Sequence, residues 1–89
     1  SAEVDYLISY KENLIPVEVK AGATGALRSL SLFMDMAPHN MAVRLYAGKT
    51  SLSVITTPQG KTVHLLNLPY YLVSQIEKYL HWFEEQITK

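Results

Sequence analysis

The chain has 89 residues, eight acidic and eight basic, with no cysteine. That length gives room for one domain, burying roughly two thirds of the surface its unfolded chain would expose. Balanced charge excludes a general field for nucleic acid or anionic membranes, so such binding needs a local patch, and the missing cysteine excludes disulfides and thiolate metal sites. The longest apolar runs are too short to span a bilayer, and the N-terminus lacks the order of a signal peptide, so a cytoplasmic domain is expected.

Strand-like sequence begins within a few residues of Ser1, so the chain reads as a fragment of a longer protein. Val4 to Tyr10 and Leu14 to Lys20 are β-rich runs separated by the polar Lys11, Glu12 and Asn13, which predicts a hairpin. Alternation puts Val4, Tyr6 and Ile8 on one face and Asp5, Leu7 and Ser9 on the other. On the second run Ile15, Val17 and Val19 oppose Pro16, Glu18 and Lys20. An even loop joins the apolar sets into one core face and gathers Asp5, Glu18 and Lys20 on the other; an odd loop mixes both.

Gly22 and Gly25 loosen the chain, and Thr24 is a candidate cap for a helix carrying Leu27, Leu30, Phe33, Met34 and Ala37 at helical spacing. Pro38 ends it. "MAVRLYAG" is a third strand, and strand, helix, strand predicts a parallel pair with a right-handed crossover. "SLSVITT" and "TVHLLN" flank the turn-forming "PQGK", predicting a second hairpin. Pro69 suits the first turn of a last helix reaching about Gln86, with Leu72, Ile76, Leu80, Phe83 and Ile87 as its buried stripe.

The charged residues of the first hairpin carry the most chemistry. Carboxylates on adjacent strands, here Asp5 and Glu18, make an oxygen-rich site suited to Mg²⁺, which is commonly held by one or two carboxylates, waters and substrate phosphate. An ammonium beside them, Lys20, can hold or help deprotonate a water and offset charge developing on phosphate. By spacing alone the pattern is weak, because alternating charges on a strand usually mark a solvated face.

Asp in the first hairpin strand, Glu-x-Lys in the second, then a helix and a crossover strand resemble the restriction-endonuclease-like (PD-(D/E)XK) superfamily. More closely, "EVDYLI", "LIPVEVKAG", "RSLSLF" and "LPYYL" resemble the domain C-terminal to the ATPase domain of many prokaryotic AAA-type ATPases of unknown function. The similarity covers most of the chain and is strongest over residues 3 to 22. It implies an α/β fold with the restriction-endonuclease-like core: a mixed sheet with an antiparallel hairpin, crossover helix, parallel strand and C-terminal helix, all in one nuclease-like domain over residues 1–89. It further implies Asp5 and Glu18 as ligands of Mg²⁺ or Mn²⁺, Lys20 as the catalytic lysine, and Arg28 and Ser29 as candidate nucleic-acid contacts. Active members commonly add an acid from a helix before these strands, so the piece is expected to hold an incomplete site. DNA and the ATPase domain of the parent chain are the implied partners.

Other patterns carry less. "QIEKY", Gln75 to Tyr79, imitates the Gln-x-x-x-Tyr motif of one nuclease branch but lies in the last helix instead of the helix after Glu-x-Lys. "AGKTS" resembles the end of a phosphate-binding loop, yet position 43 is valine and a strand follows, so the ATP site lies outside this chain. His39, His64 and His81 lack metal-ligand spacing, and Arg44 and Lys61 are candidates to touch phosphate, although lone bases are more often ordinary surface residues. Tyr71 and Trp82 fall beside the buried stripe of the last helix, as a second packing layer or as a contact with the parent chain or another copy. Two function classes therefore compete. One is metal-dependent phosphodiester hydrolysis on DNA, or DNA binding by a decayed site. The other is a non-catalytic interaction module of the ATPase, with a homo-oligomer through the C-terminal helix.

Overall fold

The computed structural model describes residues 3–20 and 27–89. Strands β1 (Tyr6–Tyr10) and β2 (Asn13–Val19) form the first hairpin, and helix α1 (Arg28–Met36) leads to β3 (Met41–Tyr46). Strands β4 (Ser51–Thr56) and β5 (Thr62–Pro69) form the second hairpin, followed by a 3₁₀ helix (Tyr70–Gln75) and α2 (Ile76–Ile87). Among the described residues the strands form one mixed sheet of five in the order β1-β2-β3-β5-β4. The hairpins are antiparallel, and β3 runs parallel to both β2 and β5. The helix expected to join two parallel strands is α1. The cap expected of Thr24 and the loosening at Gly22 and Gly25 lie outside the described residues.

The register of the first hairpin pairs Tyr6 with Val17, Ile8 with Ile15 and Tyr10 with Asn13, the even register that unites the apolar sets. The turn is Lys11 and Glu12 alone, both left-handed at φ 47° and 69°, while Asn13 belongs to β2. Two central residues with positive φ match the strand twist of a two-residue hairpin. One expectation is corrected. Val4 packs with the α1 cluster, whereas Ile8 packs with the α2 cluster, because the chain bends at Asp5 before β1 begins.

The sheet has two apolar faces of unequal cover. Tyr10, Ile15, Val17, Met41, Val43, Leu45, Leu66 and Leu68 form the larger core with Leu80 and Phe83 of α2. Leu72, Ile76 and Ile87 pack around it, so the whole expected stripe faces the sheet. On the other side Leu30 and Met34 of α1 cover Ala42, Val63 and Leu65. The expected start of the last helix is corrected too. Pro69 pairs with Tyr46 as the last residue of β5 and has extended dihedrals, φ −58° and ψ 145°; its missing N–H is tolerated at a strand end, and the α-helix starts at Ile76.

Candidate functional site

Glu18 lies near the end of β2 and pairs in parallel register with Arg44 of β3, which pairs with Asn67 of β5. Residues directly opposed point to the same side of a sheet. This side is the one α1 covers at the level of Ala42 and Leu65. Asp5 joins the row from outside. The bend before β1 turns its carboxylate toward the end of β2, where Oδ2 accepts the Val19 N–H at 2.8 Å.

Burial, then the Asp5 charge, then a hydrogen bond to the Asp5 carboxyl push Glu18 up to about 7. Two ionised carboxylates cannot hydrogen-bond each other, and Glu18 Oε2 is buried with no donor. A proton on Glu18 makes that bond, so near neutrality the side chain is divided between acid and carboxylate. A divalent cation is the alternative way to relieve the same repulsion. The donor set consists of hard oxygens, and it fits Mg²⁺ or Mn²⁺ with waters or phosphate oxygens filling the remaining positions. No group of three or more His, Cys, Asp or Glu side chains converges among the described residues.

Lys20 follows β2 and continues its ladder, donating its backbone N–H to Leu45 O at 2.8 Å, while its carbonyl accepts from the Tyr70 hydroxyl. Its half-buried side chain shares the Glu18 side by alternation, but Nζ forms no ion pair with either carboxylate among the described residues. Arg28 and Ser29 occupy the first turn of α1, on the same side of the sheet, and neither bonds to the carboxyl pair. The structure thus brings Asp5 and Glu18 together, while Lys20, Arg28 and Ser29 make no side-chain bond to them among the described residues.

Two groups carry more than the sequence reading gave them. Arg44 donates from Nε to Asn67 Oδ1 at 2.9 Å, and Asn67 Nδ2 donates to Ser53 Oγ at 2.8 Å. A visible signal was the polar Arg and Asn inside two otherwise apolar strands. Lys61, expected at the surface, instead donates from Nζ to the carbonyls of Met34, Ala37 and His39 at 2.8, 2.7 and 2.6 Å. The Gln75-to-Tyr79 imitation lies at the start of α2, on the opposite side of the sheet from Glu18, so its position removes it from the site.

A family model described as "Domain of unknown function (DUF4143)" matches residues 1–71. The chain belongs to the DUF4143 family. No curated protein and no solved structure matches it. The DUF4143 match takes in the whole polar row, from Asp5 through Glu18 and Arg44 to Asn67, while α2 and Trp82 lie beyond it.

Proposed function

We propose that this DUF4143 chain is the nuclease-like C-terminal domain of a prokaryotic ATPase, with the restriction-endonuclease-like core, and that it hydrolyses DNA phosphodiesters with Mg²⁺ or Mn²⁺. The observation that carries the reading is the Asp5–Glu18 carboxyl pair with its buried, partnerless Oε2. A bound divalent ion supplies Lewis acidity at a phosphoryl oxygen and acidifies water. The chain's part is to hold that ion with Asp5 and Glu18 and to set the Lys20 ammonium beside the phosphate. There Lys20 offsets developing negative charge or receives a proton from the attacking water if it is first deprotonated.

Positioning and charge stabilisation supply most of the catalysis in phosphoryl chemistry, so loss of the lysine removes rate and spares the fold. With Mg²⁺ or Mn²⁺, Lys20→Ala and Glu18→Ala are expected to depress cleavage of labelled DNA by at least about 100-fold, as for removal of one transition-state donor. Melting temperatures measured alongside separate that loss from unfolding.

A wild type that cuts no DNA under these conditions would favour the second reading, a non-catalytic interaction module. A specific observation supports it: Tyr71 is 80% exposed and Trp82 39% exposed, so neither forms an inner packing layer.

A further inference from the structure

We infer that Arg44 is a phosphate-binding residue of the Asp5–Glu18 site, and that Asn67 is the positioning residue that holds its guanidinium ready for a DNA backbone. The inference deepens the nuclease reading and takes its substrate class from it.

Asn67 is only 2% exposed, set between Leu66 and Leu68. A side-chain amide at such a place is costly unless its polar atoms are bonded. Both are: Oδ1 accepts from Arg44 Nε and Nδ2 donates to Ser53 Oγ. The amide orientation follows from chemistry, since a guanidinium can only donate and must meet the oxygen. Ser53 therefore fixes Asn67, and Asn67 fixes Arg44.

Arg44 stands directly opposite Glu18 in the sheet, yet no ion pair joins them. Its tether is neutral and engages Nε alone. Among the described residues the Nη atoms make no hydrogen bond, and the Tyr46 ring lies 6.0 Å from Cζ. An arginine held this way keeps its charge and presents the forked end that meets phosphate oxygens bidentately. A purely structural arginine in the same row would pair with Glu18; here no ion pair joins them, and Glu18 Oε2 is buried with no donor. Arg44 is half-buried and stands beside Glu18 in the sheet, so a strand of DNA lying over the carboxyl pair passes next to it.

The test measures binding of a short fluorescein-labelled DNA duplex by anisotropy, in EDTA, over a salt series. Each phosphate contact adds about 0.9 to the slope of log affinity against log salt. Arg44→Gln is expected to lower the slope by about 0.9. Asn67→Asp is expected to do the same, because the new carboxylate pairs with Arg44 and spends its charge, whereas a merely structural Asn67 would leave the slope unchanged. Arg44→Lys should restore the slope at lower affinity, since it keeps the charge and loses the Nε tether. Thermal melts establish that each variant is folded.

Unchanged slopes in Arg44→Gln and Asn67→Asp overturn the inference, as does a wild type that binds no duplex in EDTA. The two readings fail separately. Lowered slopes without any cleavage in Mn²⁺ keep Arg44 and reject hydrolysis, whereas cleavage with unchanged slopes keeps hydrolysis and rejects Arg44.

Discussion

Glu18 is where stability and proposed function oppose each other. Its folded pKa, about 7, lies above that of an unfolded glutamate, so between the two values the folded state binds more protons. Stability from this group is therefore full at acid pH and is lost as pH rises through about 7. Glu18→Gln removes the titration. It should flatten the stability profile and make the variant more stable at pH 8 by on the order of 1 kcal/mol, discounting the full shift because the side chain is partly exposed. For a domain of this size that raises Tm by roughly 4–8 °C. If the pair holds Mn²⁺, the same melts with the ion should reverse the order, because a cation that binds the folded state stabilises wild type and leaves Glu18→Gln largely unmoved. A wild type that Mn²⁺ fails to stabilise would count against the metal site. Part of this site was legible: alternation and an even loop put Glu18 on the polar side of the hairpin, whereas Asp5 joins it through the bend before β1, which alternation does not foresee. The Arg44 tether was not, because strand pairing across β3 and β5 decides it, and nothing local in "MAVRLYAG" points to "LLNLP".

At the scale of elements, α1 is nine residues long and has no side-chain cap at Leu27. Its C-terminal end is held instead by Lys61, whose ammonium bonds Met34 and Ala37 carbonyls and complements the helix dipole. Lys61→Met keeps the apolar stem and leaves those carbonyls without the cation. The expected cost is about 2 kcal/mol, the range for bonds to charged groups, read as a fall in Tm of roughly 10 °C. No sequence signal ties Lys61 to a helix more than twenty residues earlier; only the return of β5 beside β3 brings them together. The first turn makes the complementary case. Glu12 takes φ 69°, which costs a residue with a Cβ, and Lys11 meanwhile reaches Glu84 of α2 at 2.6 Å. Glu12→Gly relieves the strain without touching that pair and should stabilise by about 0.5 kcal/mol in denaturant titrations. The hairpin itself was readable from its β-rich runs, whereas its turn was not, because two left-handed residues without glycine carry no usual signature.

For the molecule as a whole, the sheet separates two differently covered faces. The polar row lies on the α1 side, and α2 closes the other side over the larger core. Two exposed aromatics border clefts to which the β3–β4 turn contributes: Trp82 lines one with Thr50 and Tyr79, and Tyr71 lines another with Tyr46, Gly48 and Lys49. Gly48 lets the Tyr46 ring lie close to the turn, since a Cβ there would meet the ring at 2.5 Å and displace it. Under the interaction reading these two aromatics seat a second copy, and they contribute little to the fold because they lie outside its core. Replacing both, Tyr71→Ser with Trp82→Ser, should therefore leave Tm within a few degrees of wild type. Under the interaction reading, light scattering of wild type gives more than the monomer mass and the double variant returns it to monomer, while DNA binding is unchanged. Lys20→Ala and Arg44→Gln should do the reverse, changing DNA behaviour and leaving mass alone. A double variant with wild-type mass would remove the two aromatics from any role in self-association, and one that also lost DNA binding would show that these aromatics and the polar row act together.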